Sequence, residues 1–338
     1  MEVYVGLDLH STNTYVAMID QENTVLYKQR HRNEVPAILS VLDPFKKDIR
    51  GVVVESTYNW YWLVDALIDA GYRVHLANVS AIKQYEGLKQ IDDRRSSLWL
   101  ANLLRLNILP TGYIYPKDER PTRDLLRKRL QLVQNRTSHV VSIKNVLSRN
   151  LGVRMNAYDI KKLDVPQVRA LFPDKETRLA IMSSVGIIQH CTEEIDRIEA
   201  LISKKFKTNK DFERLMTVPG IGQILGLTIM LEVGDIKRFP TVGDYSSYCR
   251  CVRSIHTSNG KITGYGNSRN GNKYLAWAYL EAAHSARVHH ETVRSYYERK
   301  RSRTNKVVAI KTVGHKLARA SYYIMRDGVD YDQARLFG

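Results

Sequence analysis

Carboxylates end two short apolar segments near the start of the chain: Asp8 closes VYVGLD and Glu55 closes GVVVE. Each segment has the length and apolar content of a buried β-strand, which would deliver its last side chain to the edge of a sheet. A third acidic stretch, IDDRRSSLWLANLL, places Asp92 and Asp93 at the start of a helix. Carboxylates that converge from separate elements are ligands for a hard divalent cation such as Mg²⁺. We therefore predict that Asp8, Glu55 and Asp93 form a catalytic Mg²⁺ site, with Asp92 as a further ligand.

A serine in a loop rich in glycine, asparagine and serine is the second candidate for chemistry. Ser258 lies in HTSNGK, and Ser268 in NSRNGN is its local competitor. A serine that attacks phosphorus must be exposed and surrounded by positive charge, which stabilises the phosphorane as it develops. The cations predicted to supply that charge are Lys261, Arg253 and Arg269.

The distribution of charge points to nucleic acid. The chain has 52 lysines and arginines against 35 aspartates and glutamates, a formal net charge of +17. Residues 116–155 hold ten of these cations and three acids, and residues 287–326 hold eleven and two. Such blocks form phosphate-binding surfaces. A solvated charged face would explain one block, but the chain has two, and the second is interleaved with Tyr296 and Tyr297. We therefore favour nucleic-acid binding. The contacts predicted within the blocks are Arg127, Lys128, Arg129, Arg299, Lys300 and Arg301.

Cysteine usage and the N-terminus exclude several classes of protein. The three cysteines, Cys191, Cys249 and Cys251, are too few and too irregularly spaced for a disulfide framework or a zinc site. The start MEVYVGLDLH lacks the basic and apolar parts of a signal peptide, and no apolar run reaches the ~18 residues of a membrane span. We expect a cytoplasmic protein with reduced thiols.

The elements that must position the carboxylates follow from the apolar patterning. Residues 2–8, 13–19 and 24–30 predict three antiparallel strands. Next come a helix at 34–46, a buried strand at 51–56, a helix at 59–71 and a strand at 73–78, an order that suggests parallel additions to the sheet. This succession is typical of a ribonuclease-H-like α/β domain with a mixed sheet, which we place at residues 1–115.

The rest of the chain is predicted to be mostly helical. Residues 121–150 place apolar side chains on one helical face, and between 187 and 206 Ile188, Cys191, Ile195, Ile198 and Ile202 repeat at heptad spacing. That seam favours packing within the chain or a coil between subunits, and we predict a helical, coiled-coil connector at 116–210. A mostly helical C-terminal domain at 211–338 follows, in which TVPGIGQILGLTIMLEVGD predicts helix, tight turn and helix, and a helix starts at Lys273.

Together these segments resemble the insertion-sequence-110 family of transposases, which are bridge-RNA-guided serine recombinases with a DEDD motif. The resemblance covers almost the whole chain. It rests on GLDLH, VVVESTYNWYWLVDALIDAGYRVHLAN, DDRRSSLWLANLLRLN, VPGIGQILGLTIMLEVGDIKRFP and SIHTSNGKITGYGNSRNGNKYLAWAYLEAA. A PGIG segment and a serine loop that follow a ribonuclease-H-like domain in this order are a fairly specific combination.

The resemblance implies a function and a site. The N-terminal domain would be RuvC-like, with Asp8, Glu55 and Asp93 matching the family's acidic residues. Ser258 would be the nucleophile that forms a transient covalent link to a DNA phosphate, although Asn259 replaces the usual glycine after it. A structured noncoding RNA would choose target and donor double-stranded DNA by base pairing. The two domains of different subunits would share one composite site, so a homo-oligomer, a dimer or a tetramer, is implied.

One position departs from the family pattern of Asp-x-x-Asp. With Asp93 in the first place, Ser96 stands where the second aspartate belongs, and a hydroxyl is a poor substitute for a carboxylate in binding Mg²⁺. Asp92 is adjacent in sequence but points about 100° around the helix. The departure leaves open a weaker metal site, a shifted site that uses Asp92, or an inactive one.

Three alternatives to the serine recombinase stay open at this point. The first is a metal-dependent Holliday-junction nuclease that needs no covalent serine. The second is a nucleic-acid-binding relative that lost its metal site with Ser96. The third is a tyrosine recombinase, since HKLARASYY brings His315, Arg319 and Tyr322 or Tyr323 close together; we favour an ordinary core-packing helix for that stretch.

Overall fold

The computed structural model of the protein describes residues 1–82, 93–205, 210–252, 255–266 and 270–337. The chain divides into two compact units, which we call unit 1 (Met1–Lys117) and unit 2 (Asp118–Gly338). The predicted boundary at 115 lies close to the division between the units. The predicted boundary at 210 lies inside unit 2, because the helices on its two sides share a hydrophobic core cluster.

A six-stranded mixed sheet forms the centre of unit 1. Its strands are β1 (Val3–Leu9), β2 (Asn13–Asp20), β3 (Val25–Arg32), β4 (Ile49–Glu55), β5 (Val74–Ala77) and β6 (Thr111–Gly112). They lie in the order β3-β2-β1-β4-β5-β6. The first three strands are antiparallel, β4 and β5 run parallel to β1, and β6 closes the edge antiparallel to β5. The predicted mixed sheet is confirmed, and β6 is a strand that the sequence pattern did not indicate.

Helices cover the two faces of this sheet. They are α1 (Val35–Leu42), α2 (Tyr61–Asp69) and α3 (Asp93–Arg105). Because side chains alternate along a strand, Leu7 and Val54 enter one core with α1 and α2. Val53, on the opposite face, packs with Leu100 of α3.

Helix α3 lies unusually close to the sheet, and glycine permits the approach. A Cβ at Gly6 of β1 would lie 2.0 Å from the Ser97 carbonyl oxygen, and one at Gly51 of β4 would lie 3.0 Å from Leu104 Cδ2. Gly51 is paired with Tyr4, near the start of β1. Helix α3 therefore runs antiparallel to β1 and β4, and it begins at the edge where those two strands end.

Unit 2 is mostly helical, as predicted. Its helices are α4 (Arg120–Leu151), α5 (Ala157–Lys161), α6 (Val165–Leu171), α7 (Lys175–Lys205), α8 (Lys210–Met216), α9 (Gln223–Val233), α10 (Val242–Tyr248), α11 (Lys273–His289), α12 (Glu291–Arg303), α13 (Lys306–Asp327) and α14 (Gln333–Phe337). A short hairpin, β7 (Ile255–Ser258) and β8 (Lys261–Tyr265), precedes α11. Helices α8 and α9 form the predicted helix, turn and helix, and the turn buries Val218 and Ile221. None of the described helices is both long and apolar enough to cross a membrane.

The heptad seam of α7 is used for packing within the chain. All five seam residues are buried. Ile188 packs with Val140 and Leu147 of α4, and Ile202 packs with Leu126 near the other end of the same helix. Helix α4 therefore covers this seam, which is the packing within the chain that the sequence pattern favoured as one of its two uses.

The contact between Gly6 and α3 generates the first prediction. Gly6→Ala would force a methyl group against the Ser97 carbonyl, and we expect a cost of about 3 kcal/mol in the free energy of unfolding, since a backbone atom cannot give way as a side chain can. Gly112→Ala in β6 is the matched control, because its Cβ meets Leu76 at an ordinary 3.6 Å. Urea unfolding, with hydrogen exchange of the α3 amides, measures both variants. Equal stability of the two would contradict the close packing.

Candidate active site and nucleic-acid surfaces

Asp8 and Glu55 lie side by side at one edge of the unit 1 sheet. The β1–β4 ladder pairs Leu7 with Val54, so the next residue on each strand is one of the two carboxylates. Adjacent strands are about 4.8 Å apart, and the alternation of side chains puts both carboxylates on the face that α3 covers. Asp8 is 2% exposed, whereas Glu55 is half-buried. The structure therefore brings these two predicted ligands together.

Polar contacts fix the chain around this edge. His10 follows Asp8, and its Nε2 lies 3.6 Å from Asp8 Oδ1. The His10 carbonyl accepts hydrogen bonds from Asn33 Nδ2 at 2.9 Å and from Asn59 Nδ2 at 3.1 Å. These two amides come from the segments after β3 and β4, so they hold the end of β1 in place from both sides.

The predicted ligand Asp93 lies at the start of α3. Asp93 is the first residue of α3, one helical turn before Ser97, which contacts Gly6. The helix therefore starts at the same edge as the two carboxylates. Ser96, which is half-buried, occupies the next turn. Asp92 lies outside the described residues.

The described carboxylates of the edge are Asp8 and Glu55, and the His10 imidazole lies beside Asp8. Among the described side chains, no group of three or more histidines, cysteines and carboxylates is arranged to hold a metal ion. Asp8 and Glu55 are the pair that the structure describes at the edge, and a buried carboxylate beside a second one is a donor set that suits a hard divalent cation. The carboxylate groups of these residues are therefore suitable ligands for Mg²⁺.

Ser258 lies next to the turn of an exposed hairpin, where the sequence had predicted an irregular loop. Asn259 and Gly260 form the turn with φ of 49° and 72°, which is typical of a type I′ turn. Asparagine tolerates this left-handed conformation better than other non-glycine residues, which explains how it can follow the serine here. Ser258 pairs directly with Lys261, and both are exposed.

Directly opposed residues of a hairpin place their side chains on one face, with Cβ atoms about 5 Å apart. The hydroxyl of Ser258 therefore has a lysine as its nearest cross-strand neighbour. The other two predicted cations of this site, Arg253 and Arg269, lie outside the described residues, as does the competing Ser268.

In the first basic block, residues 116–155, some cations are paired with acidic side chains and others are exposed. Arg129 pairs with Glu199 at 2.7 Å, and Arg127 pairs with the buried Glu232 at 2.5 Å. Lys128 is exposed between them, and its Nζ donates to Gln131 Oε1 at 3.1 Å. The surface charge that this block offers is therefore smaller than its residue count suggests.

In the second block, the predicted contacts lie on α12. Arg299 is exposed, with its guanidinium 5.6 Å from the centre of the Tyr296 ring. Lys300 is half-buried, and Arg301 is exposed but pairs with Glu298 at 2.7 Å.

Tyr322 and the three cysteines of unit 2 lie in or beside hydrophobic packing. Tyr322 is fully buried, and its hydroxyl donates to the Phe239 carbonyl at 3.1 Å, which removes it as a nucleophile. The three cysteines are free thiols. Burial raises the pKa of Cys251 to about 12, so it stays protonated at neutral pH.

A buried charge cluster in unit 2 was missed by the sequence analysis. Glu232 of α9 is 2% exposed and accepts from Arg123 and Arg127 of α4 and from Asn272 Nδ2 at 2.7 Å. Asn272 also caps α11, because its Oδ1 accepts from the backbone N–H of Tyr274. A signal was present: Glu232 is the one acid in the apolar run ILGLTIMLEVG, and an acid on a buried helix requires partners.

Comparison with known proteins gives consistent results along the chain. Residues 212–298 match the family described as Transposase IS116/IS110/IS902, and residues 5–150 match a transposase family of the DEDD type of IS110. The transposase for insertion sequence element IS1328 of Yersinia enterocolitica is 21% identical over 97% of this chain and 98% of its own length. The transposase for insertion sequence element IS1111A of Coxiella burnetii is 25% identical over 84% of this chain and 78% of its own length.

The Glu232 cluster predicts a pH-dependent stability. Burial alone would raise the pKa of the Glu232 carboxyl, but the hydrogen bond from Arg127 and the charges of Arg123 and Arg127 outweigh it and hold the pKa below its ordinary 4.5. The unfolded state then binds more protons than the folded state, so this stabilisation is present above about pH 4.5 and is lost as the pH falls through the lower, folded pKa. Glu232→Gln should cost about 3–5 kcal/mol at pH 7 and remove this part of the pH dependence.

Hydrogen exchange of the α9 and α11 amides as a function of pH measures the effect within unit 2. Glu281→Gln is the control, since Glu281 is exposed on α11. Retention of full protection in Glu232→Gln at pH 7 would show that the ion pairs do not hold these helices.

Proposed function

Because the chain belongs to the IS116/IS110/IS902 family of insertion-sequence transposases and is thus an enzyme that acts on DNA, we propose that it recombines DNA through Ser258. The observation that carries this proposal is the exposed hydroxyl of Ser258 beside a type I′ turn, directly opposite Lys261. The proposed activity is site-specific cutting and rejoining of double-stranded DNA at an insertion sequence.

The proposed reaction is two successive transfers at phosphorus. In the first, Ser258 Oγ loses its proton to solvent and bonds to the phosphorus of the scissile phosphodiester, while one P–O bond of the DNA breaks and the departing oxygen is protonated to a hydroxyl end. In the second, a hydroxyl end of another strand attacks the phosphoserine, and Ser258 regains its hydroxyl. Lys261 stabilises the negative charge of the phosphorane in both steps.

The acidic edge of unit 1 is the proposed metal site, and unit 1 is proposed to be a ribonuclease-H-like domain of the RuvC type. The strand order and the adjacent Asp8 and Glu55 support both assignments. Asp8, Glu55 and Asp93 would hold the ion, with Asp92 as a further ligand. A bound Mg²⁺ would neutralise charge on a phosphodiester and on its leaving oxygen.

Guide RNA and self-association complete the proposal. A formal net charge of +17 supports binding of both a structured guide RNA and DNA, and the exposed Lys128 and Arg299 are candidate phosphate contacts. Arg127, Arg129, Lys300, Arg301, Arg253 and Arg269 remain proposed contacts as well. A dimer or tetramer is proposed because recombination joins two DNA partners.

Ser258→Ala should abolish both recombination and the covalent protein–DNA product, because no other group on the hairpin turn replaces the hydroxyl. Thr257→Ala is the matched control: Thr257 is the neighbouring exposed hydroxyl of β7, and its variant should retain activity. Retention of radiolabelled DNA on denatured protein measures the link, and sequencing of the product junctions measures recombination. Cleavage by Ser258→Ala with no covalent product would instead identify a metal-dependent junction nuclease.

Asp8→Asn should lower recombination by at least about 100-fold, because it removes a carboxylate charge from a buried ligand position. The same change should weaken Mn²⁺ binding, which is measured by the paramagnetic relaxation of water protons. Asp20→Asn at the far end of β2 serves as the control. Unchanged Mn²⁺ affinity in Asp8→Asn would contradict a metal site at this edge.

A further inference from the structure

A cleft in unit 2 lies between α4 and the start of α11. Its volume is about 560 Å³, and its lining includes Arg127, Lys128, Gln131, Lys273, Tyr274 and Trp277. This volume is in the range of sites that take a small organic group, and it exceeds what a single side chain would fill. None of the described residues of the hairpin lines this cleft.

Aromatic and cationic groups are interleaved along the cleft. The Arg127 guanidinium lies 4.3 Å from the centre of the Tyr274 ring, and Lys273 Nζ lies 5.1 Å from the same ring. Tyr274 and Trp277 are half-buried, so part of each ring remains accessible. Flat apolar faces beside cations are the combination that holds a nucleobase by stacking and its phosphate by charge.

The charge of the lining favours an anion. Lys128 and Lys273 carry two positive charges against one carboxylate at Asp124, and Arg127 also lines the cleft but is paired with Glu232. Lys128 and Lys273 are both exposed, one on each helix that borders the cleft. The amides of Gln131 and Gln134 also line the cleft, and an amide can donate to and accept from the edge of a base.

The wall that carries the aromatic ring is held rigidly. Glu232 is bonded to Arg127 on one side of the cleft and to Asn272 on the other. Asn272 in turn caps α11 at Tyr274. The same buried carboxylate therefore sets the position of the guanidinium and of the ring over which it lies, and a ligand would bind with little ordering cost.

We propose that this cleft binds an unpaired nucleotide of a single-stranded nucleic acid, with its base against Trp277 and the Arg127–Tyr274 pair and its phosphates on Lys128 and Lys273. A duplex does not fit this role, because its bases are stacked inside and cannot reach side chains in a cleft. The inference rests on the proposed function only in taking nucleic acid as the partner. It adds recognition of a strand outside the duplex, whether a loop of RNA or a strand of opened DNA.

Binding of short labelled strands to the full-length protein tests the proposal. Fluorescence anisotropy is measured with a single-stranded RNA, a single-stranded DNA and a duplex DNA of the same sequence, at several salt concentrations. Trp277→Ala should weaken single-strand binding about tenfold or more and leave duplex binding unchanged, whereas Trp277→Phe should retain most of the affinity. Comparison of the RNA and DNA strands identifies the source of the nucleotide.

A second pair of variants keeps the test independent of the folding of Trp277→Ala. Lys128→Ala with Lys273→Ala should weaken single-strand binding and lower its salt dependence by about two ions. Lys175→Ala, at an exposed lysine of α7 outside the cleft, should change neither. A strand carrying 2-aminopurine should lose fluorescence on binding through stacking, and this quenching should disappear without Trp277.

Two outcomes overturn the proposal: equal effects of Trp277→Ala on single strands and duplex, or no effect of the Lys128 and Lys273 pair on single strands. Ser258→Ala separates this result from the recombination chemistry, since it should bind the single strand as the unchanged protein does. A protein that binds the single strand but forms no covalent product contradicts the proposed recombination and not the cleft. A protein that forms the covalent product but does not bind the single strand contradicts the cleft and not the recombination.

Discussion

The Glu232 carboxylate joins α4, α9 and the start of α11 at one buried charge. Taking a carboxylate out of water costs several kcal/mol, and here two arginines of α4 and the capping amide of α11 offset that cost. The three helices meet at one charge, so none of them can shift without leaving a buried ion unpaired. The hydrophobic effect is non-directional, whereas the hydrogen-bonded ion pairs of this cluster require defined positions of α4, α9 and α11.

In unit 1 the corresponding constraint is steric. The backbone of α3 approaches the backbone of β1 closely at Gly6, and this contact fixes the distance and direction of α3 over the sheet. The first turn of α3 lies at the edge formed by β1 and β4. Asp8 and Glu55 reach that edge through parallel pairing. The two constraints differ in kind, since one is a charge that requires partners and the other is a side chain that must be absent.

Much of unit 1 could be predicted from the sequence because its signals are local. Apolar runs that end in a carboxylate marked β1 and β4, and their neighbouring position follows from parallel pairing.

Other features were missed for physical reasons. Strand β6 has two residues, too few for a pattern, and the Glu232 cluster joins residues more than a hundred positions apart. Charge counting could not separate Arg129, which pairs with Glu199, from the exposed Lys128. The hairpin at Ser258 had a local signal in Asn259-Gly260, but the surrounding small polar residues suggested an irregular loop.

The exposure of the hairpin turn has a consequence for timing. Residues 257–261 are exposed, so burial contributes little to fixing the Ser258 hydroxyl, and a two-stranded ribbon is marginal in water. In the proposed reaction, a hydroxyl held this loosely would gain its reactive orientation from the DNA that docks against it. Strand breakage would then follow docking of the DNA and not precede it.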